Sequence, residues 1–260
     1  MIGKGGSSKV LSTDQLRVGT SVVLLYHRLG PPKLGSLVAG QYVAPRLFSS
    51  ELDCLSGRGW RGASLAELVD APRSHVPGPQ DQFCVTFDDG YLSVYQHACP
   101  ALTQRNLTAA IYVVAGAVGG INEWDRVAGD QEEPMMSAGQ IKELAAAGFE
   151  IGSHTMTHRR LTEAPDDKLR EELIDSKHVL EDIIGKEVAA FSYPYGDYDS
   201  RVLEAVVAAG YKSAVTTKLG VLVPTTGIFE IPRVNVRWNA VGPLLMRKIK
   251  RARNASGRRK

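Results

Sequence analysis

The order of apolar and polar positions predicts strands and helices that alternate along most of the chain. Residues 47–57, 64–69, 138–147, 165–184 and 200–209 have the apolar spacing and end signals of helices. Between them, short runs rich in β-branched, aromatic or other apolar residues predict strands at 22–25, 83–87, 108–114, 149–151, 188–192, 211–217 and 229–236. This alternation indicates parallel βα units, and a length of 260 residues suits one such domain.

One predicted helix has particularly clear limits. Ser137 and Gln140 have the spacing of a capping box, which satisfies free N–H groups at a helix start. Gly148 fits the position just past the helix end, where a left-handed backbone is common. Residues 138–147 are therefore expected to be helical.

Polar clusters follow four of the predicted strands directly. Since the carboxyl ends of parallel strands meet on one rim of a β/α barrel, we expect these clusters to lie close together. They are Tyr26-His27, Thr86-Phe87-Asp88-Asp89-Gly90, Ser153-His154-Thr155-Met156-Thr157-His158 and Tyr193-Pro194-Tyr195-Gly196.

The histidine and aspartate clusters together predict metal-assisted hydrolysis. His154 and His158 are spaced i, i+4 and would share one face of a helical turn, and with one carboxylate they suit zinc. Asp88 and Asp89 point in different directions, so one can bind the metal while the other takes a proton from water. Two surface histidines, and an aspartate pair that caps a turn before Gly90, are the alternatives.

These two motifs resemble those of the polysaccharide deacetylase family, also called the NodB-homology or carbohydrate esterase family 4 proteins. The resemblance covers roughly residues 20–236 and implies an α/β fold, a single distorted (β/α) barrel. In that family the first aspartate is the general base, and the second binds a divalent metal with the two histidines. The resemblance thus implies Asp88 as base and Asp89, His154 and His158 as metal ligands. Zinc is the expected ion, and cobalt or nickel would also accept these ligands.

The segment around Tyr195 resembles the third family motif, in which a tyrosine backbone N–H stabilises the oxyanion. Ser192 stands where the family normally has an arginine that steadies the base. Arg233 is a candidate substitute, and an ordinary surface or ion-pair role is the alternative.

The general acid departs from the usual family pattern as well. The family normally carries a late histidine, but no histidine follows His178 here. The Tyr26-His27 pair instead resembles the branch that acts on poly-β-1,6-N-acetylglucosamine, which implies His27 as general acid. A buried structural histidine is the alternative. The remaining histidines, His75, His97 and His178, are expected on the surface.

The resemblance implies a metal-dependent hydrolase that removes N-acetyl groups from an amino-sugar-containing saccharide or glycan intermediate. The alternatives are a non-catalytic saccharide-binding module on the same fold and an amidohydrolase acting on small non-sugar amides. Trp124 and Asp125 would line a sugar groove or pack in the core.

The chain is divided into a flexible arm at 1–20, the catalytic domain at 21–240 and a basic tail at 241–260. Three cysteines without metal spacing and the lack of an apolar leader favour a cytoplasmic location. A net charge of +3 gives no sign of a nucleic-acid partner. The tail mixes cations with Leu244, Leu245, Met246 and Ile249, so we expect either an amphipathic helix on the inner membrane surface or a solvated terminus.

Overall fold

The computed structural model describes residues 19–70 and 80–257. Most of the predicted arm and of the loop at 72–82 lies outside these residues. The strands, in chain order, are β1 Ser21–Tyr26, β2 Arg28–Leu29, β3 Tyr42–Val43, β4 Arg61–Gly62, β5 Gln82–Phe87, β6 Ala109–Val113, β7 Glu150–Ser153, β8 Ala190–Ser192, β9 Ser213–Val215 and β10 Val234–Asn235. The α-helices are α1 Pro45–Ser56, α2 Leu65–Asp70, α3 Cys99–Thr103, α4 Glu123–Val127, α5 Ala138–Ala146, α6 Asp166–Ile184, α7 Ser200–Ala208 and α8 Gly242–Gly257.

The main sheet is parallel and curled, in the order β10-β1-β5-β6-β7-β8-β9, with β4 paired to β5. The helices between its strands cover the outside, so every strand end that carries a polar cluster faces one rim. This arrangement confirms the predicted α/β class and the distorted barrel.

The barrel is distorted where β9 and β10 meet. Residues 229–236 are not one strand, as the sequence predicted, because Pro232 interrupts them and lacks the N–H that a ladder needs. Ile231 forms an isolated bridge with Val215, and pairing resumes at β10 beside β1. Arg233 follows Pro232 between these two short contacts, and its guanidinium reaches Asp88 inside the barrel.

The strands pack in two directions. Val22 and Leu24 of β1 face the large apolar layer under the helices, whereas Val23 joins the smaller cluster that includes Tyr112. This alternation follows from the two-residue repeat of a strand. Gly152 in β7 has no side chain because a Cβ there would lie 2.5 Å from the Tyr112 ring.

The predicted helix ends agree with the structure where a capping residue marked them. Ser137 and Gln140 form the complete capping box of α5. Gly185 ends α6 in the left-handed conformation, with φ of 68°. The short helices α3 and α4 lacked such signals and were not delimited from the sequence.

The basic C-terminal segment is helical over α8, and its apolar side packs on the protein. Leu245, Ile249 and Ala252 are buried, and α8 contacts α1 and β10. These apolar residues are therefore not available to a membrane in the way the sequence suggested. Within the described ranges, no helix combines the length and apolar character needed to cross a bilayer.

Candidate active site

The rim of the barrel brings the predicted site residues together. Asp88 and Asp89 follow β5, His154 follows β7, and His27 follows β1. Asp89, His154 and His158 each offer a ligand atom, and these atoms lie within 4.8 Å of one another. All three side chains are buried.

The two histidines converge through a loop rather than through a helical turn. Residues 154–158 are irregular, and Thr155 and His158 have φ of 72° and 60°. The i, i+4 spacing therefore identified the two histidines that converge, but they lie on a loop and not on the helical turn that the spacing predicted. Asp89 and Tyr195 also have positive φ, at 75° and 61°. Such backbone is uncommon for residues other than glycine, and its concentration here marks a constrained functional loop set.

The arrangement of hydrogen-bonding atoms fits a cation held by these three residues. His154 Nδ1 lies 2.7 Å from the Ser192 carbonyl oxygen, which can only accept, so Nδ1 carries the proton. This leaves the lone pair of Nε2 facing Asp89 Oδ1 at 3.4 Å, and His158 Nε2 lies 3.3 Å from the same oxygen. Within the described residues, that buried oxygen receives no hydrogen bond. A divalent cation between these atoms would satisfy the converging acceptors, and two imidazoles with one carboxylate suit zinc.

Glu172 of α6 holds the histidine loop from below. Its carboxylate accepts hydrogen bonds from the backbone N–H of Met156 at 2.9 Å and of Thr157 at 2.8 Å. It also accepts a hydrogen bond of 2.5 Å from the Thr157 hydroxyl. The sequence did not single out Glu172, because α6 carries several acidic residues and nothing local distinguishes this one.

Asp88 is held by Arg233, the residue that the sequence offered as a candidate substitute for the missing motif arginine. The guanidinium donates two hydrogen bonds of 2.7 Å to the two Asp88 oxygens, and both side chains are buried. Its other donors reach Thr86, Ser192 and the Thr216 carbonyl. Ser192 also donates to Asp88 at 3.3 Å. The small serine thus leaves room for an arginine that arrives from another part of the chain.

This pairing sets the charge on Asp88. Burial by itself raises the pKa of Asp88, but Arg233 and His154 outweigh it, so the pKa lies below its ordinary value. Asp88 is therefore an ionised carboxylate, and Arg233 donates to both of its oxygens.

His27 lies at the same rim. Burial lowers its pKa, and the carboxylates of Asp89 and Asp88 oppose that effect without cancelling it. Its Nδ1 atom is buried and has no hydrogen-bond partner among the described residues. Its neighbour Tyr26 donates to the buried Glu51 at 2.8 Å.

The Trp124 segment forms one wall of the site. The Trp124 ring stacks on the His158 ring, with centroids 4.5 Å apart. Arg28 fixes this segment, because its buried guanidinium is paired with Asp125 and lies 3.5 Å from Asp130. Trp124 thus contacts the site itself rather than the core alone, and Arg28 is a supporting residue that the sequence analysis missed.

Tyr195 also contacts the histidine pair. Its ring is half-exposed and contacts the His158 ring edge-on, with centroids 4.8 Å apart, while the Arg160 guanidinium lies over it. His97 and His178 are exposed, as expected, and His75 lies outside the described residues. Cys54, Cys84 and Cys99 are unpaired.

Comparison with known proteins gives a consistent result. The family model described as polysaccharide deacetylase matches residues 75–214. The chain is similar to the poly-β-1,6-N-acetyl-D-glucosamine N-deacetylase of Staphylococcus aureus, with 24% identity over 214 residues, 79% of this chain and 71% of that protein. It is also similar to the peptidoglycan-N-acetylglucosamine deacetylase of Bacillus cereus, with 27% identity over 141 residues, 54% of this chain and 58% of that protein.

Among solved structures, IcaB from Ammonifex degensii has a TM-score of 0.75 and 28% identity, covering 89% of this chain and 97% of that one. The Streptococcus pyogenes deacetylase PplD has a TM-score of 0.75 at 24% identity, covering 88% and 98%, which supports the fold. The chain spans about half the length of the curated Bacillus relatives it matches, 50% of one and 58% of another. His27 and Arg233 lie outside the segment that the family model matches.

Proposed function

Since this chain belongs to the polysaccharide deacetylase family, we propose that it is a metal-dependent hydrolase that removes N-acetyl groups from an amino-sugar-containing saccharide. The observation that carries the proposal is the division of labour between two neighbouring carboxylates. Asp89 faces two imidazoles, whereas both carboxylate oxygens of Asp88 accept hydrogen bonds from Arg233. Separate partners allow one aspartate to bind a cation while the other moves a proton.

Asp89, His154 and His158 would hold the cation, with zinc as the expected ion and cobalt or nickel as alternatives. When bound there, it would lower the pKa of a water molecule and polarise the acetyl carbonyl. The imidazole of His154 is oriented for this role by its hydrogen bond to the Ser192 carbonyl.

Asp88 would act as the general base. Because Arg233 keeps it ionised, it can accept the proton of the water that attacks the acetyl carbon. The two hydrogen bonds from Arg233 also fix the plane of the carboxylate, so that its orientation does not depend on the substrate.

Tyr195 and His27 would complete the reaction. The positive φ of Tyr195 orients its peptide at the rim, where its N–H would donate to the oxyanion of the tetrahedral intermediate. His27 would protonate the departing nitrogen, for which an imidazole is suited because it can gain and release a proton near neutral pH. The products would be acetate and a free amine on the sugar.

The substrate class follows from the relatives. The names of two curated relatives specify N-acetylglucosamine in a polymer, peptidoglycan in one and a β-1,6-linked glycan in the other. We therefore propose an oligomer or polymer containing N-acetylglucosamine. A non-catalytic binding module is less favoured, because Arg233 and His27 lie where they would supply the functions of the two family residues that this chain lacks.

The test is acetate release from N-acetylglucosamine oligomers by the purified chain, with and without a chelator. Replacing Asp88 with asparagine is expected to lower kcat by about 10²- to 10⁴-fold, the usual contribution of a general base, while bound metal stays stoichiometric. Asp175→Asn, an exposed position on α6, is the matched control and should keep full activity.

Two results would contradict this assignment. Asp88→Asn with activity within about tenfold of the unmodified protein would remove Asp88 from the base role. Release of acetate from small non-sugar amides, but not from any oligomer tested, would move the protein to the amidohydrolase alternative.

A further inference from the structure

Two buried polar atoms near the rim of the barrel lack a hydrogen-bond partner, and their chemistry is complementary. Among the residues that the structure describes, His27 Nδ1 and Asn235 Oδ1 are both in this position. An imidazole nitrogen can donate a proton, whereas an amide oxygen can only accept one. Buried polar atoms are almost always paired, so each of these two atoms calls for a partner.

The strand register places Asn235 on the inner face of the sheet. β10 pairs with β1 in parallel, and Asn235 lies opposite Leu25. The preceding pair, Leu24 and Val234, belongs to the apolar layer under the helices. Because side chains alternate between the two faces of a strand, Leu25 and Asn235 face the interior of the barrel. Arg233, two residues before Asn235, extends its guanidinium into the site from the same face.

His27 faces the same interior. It stands two residues after Leu25, and the charged groups that act on its imidazole belong to the site. These groups are Asp88, Asp89, Arg233 and His154. His27 is therefore the diagonal neighbour of Asn235 across two paired strands. Diagonal neighbours have Cα atoms about 7–8 Å apart, a gap that an imidazole and a carboxamide can close directly or through one water molecule.

Other donors near Asn235 have acceptors of their own or lie on more distant strands. The N–H groups of Arg233 all donate elsewhere in the site. Lys248 of α8 donates to the backbone carbonyl of Asn235 at 3.3 Å, not to its side chain. Tyr112 also has an unpaired hydroxyl, but it lies on β6, which β1 and β5 separate from β10. Within the described residues, His27 is thus the unpaired donor that directly follows the strand beside Asn235.

We propose that Asn235 is the positioning residue of the general acid, its side-chain oxygen accepting the His27 Nδ1 proton directly or through one water molecule. The bond fixes the ring and keeps one proton on Nδ1, so that Nε2 carries the proton that moves. As the C–N bond of the substrate breaks, the Nε2 proton passes to the departing nitrogen and leaves a neutral imidazole protonated on Nδ1. The catalytic part of this inference rests on the proposed deacetylase function.

The hydrogen bond can be tested without turnover, by heteronuclear NMR of the zinc-loaded full chain labelled at its histidine nitrogens. The protonated and unprotonated nitrogens of a neutral imidazole have well-separated shifts, so the spectrum reports which nitrogen carries the proton. His27→Gln identifies the His27 signals by their loss. The parent protein should show His27 protonated on Nδ1. Asn235→Leu should move the proton mostly to Nε2, and Asn235→Asp should restore the parent pattern, because a carboxylate also accepts the bond.

Activity supplies the second readout. Asn235→Leu should lower kcat by about tenfold or more with little change in KM, as part of the roughly 10²- to 10⁴-fold contribution of a general acid. Asn235→Asp should keep most of the parent kcat. Leucine has the branched shape of asparagine, and urea unfolding checks that Asn235→Leu keeps the fold. Asn254→Leu, at an exposed position on α8, is the matched control and should keep full activity.

The outcomes separate this inference from the proposed function. If the His27 proton is on the same nitrogen in the parent and in Asn235→Leu, the hydrogen bond is absent. If Asn235→Leu loses stability but keeps the parent kcat, Asn235 has a structural role only. Either result overturns the proposal. A parent protein that releases no acetate from any oligomer would overturn the proposed function, and the NMR comparison would still decide whether Asn235 holds His27.

Discussion

Arg233 and Arg105 each hold an aspartate through two hydrogen bonds, but only the first pair is buried. Arg233 and Asp88 are 0% and 3% exposed, with both bonds at 2.7 Å. Arg105 and Asp53 are 24% and 61% exposed, with bonds of 2.7 and 2.9 Å. The same chemistry in two environments gives an internal control for the effect of burial.

Replacing Arg233 with methionine should therefore be far more destabilising than replacing Arg105 with methionine. Methionine keeps much of the volume but leaves Asp88 as a buried charge without its partner, which costs about 3–5 kcal/mol. The exposed pair should contribute only about 0.2–1 kcal/mol, because water screens it. Since a domain is stable by about 5–15 kcal/mol, the first change removes a large part of the total.

The assay is urea unfolding of the four proteins in a double-mutant cycle with Asp88→Asn. Removing both partners should cost less than the sum of the single changes, by about 1–3 kcal/mol, because no lone charge then stays buried. The low pKa of Asp88 stabilises the fold above the ordinary aspartate pKa, and this contribution is lost as pH falls. The difference between the parent and Arg233→Met should thus shrink in acid.

Activity supplies the second readout. Arg233→Met should lose base function, while Arg233→Lys should keep part of it, since lysine supplies the charge without the two-point contact. If Arg233→Met proves no more destabilising than Arg105→Met, or if the cycle is additive, then the reasoning from buried pairing is refuted.

Three further predictions follow from other buried groups. Burial raises the pKa of Glu51 from 4.5 to about 8, so its protonated form favours the fold and stability falls as pH rises through that window. The free energy of unfolding of the parent protein should fall by an amount on the order of 4 kcal/mol between about pH 5 and about pH 9, and Glu51→Gln should abolish this fall. If the free energy of unfolding of Glu51→Gln depends on pH as the parent's does, the prediction is contradicted. Glu172→Ala should weaken metal binding by about 10- to 100-fold in a chelator competition, whereas the exposed neighbour change Glu171→Ala should not. Arg28→Lys should free the Trp124 wall and raise KM by about tenfold with a smaller change in kcat, and equal effects on both constants would argue against a positioning role.

The sequence could predict the parts of the site that are local. Apolar runs located the strands, and the polar residues that follow them had to lie on the rim of a parallel sheet. Asp88, Asp89 and His154 were predictable in this way, because each stands within a residue or two of a strand end. The sequence also pointed to His158, but it predicted that a helical turn would place it beside His154. The structure places it there through left-handed backbone at Thr155 and at His158.

The long-range parts could not be predicted with the same certainty. Glu172 supports the histidine loop from a helix whose exposed face carries similar acids, so its role becomes visible only in three dimensions. Arg28 donates a hydrogen bond to Asp125, about a hundred residues further along the chain. Neither the Glu172 contacts nor the Arg28 contact can be recognised from a sequence period or motif, because the topology of the fold decides which distant side chains meet.

Arg233 links these two kinds of information. The family motif places an arginine beside the base, and the serine at 192 leaves that requirement unmet in the local sequence. The break at Pro232 lets Arg233 enter the barrel between two short strand contacts, and all of its N–H donors find acceptors there. An arginine at both positions would put two guanidinium groups into one buried space with a single carboxylate, at a large desolvation cost. The small residue at 192 and the arginine at 233 therefore depend on each other. The fold requires a guanidinium paired with Asp88, and the arginine that supplies it can stand at either position in the chain.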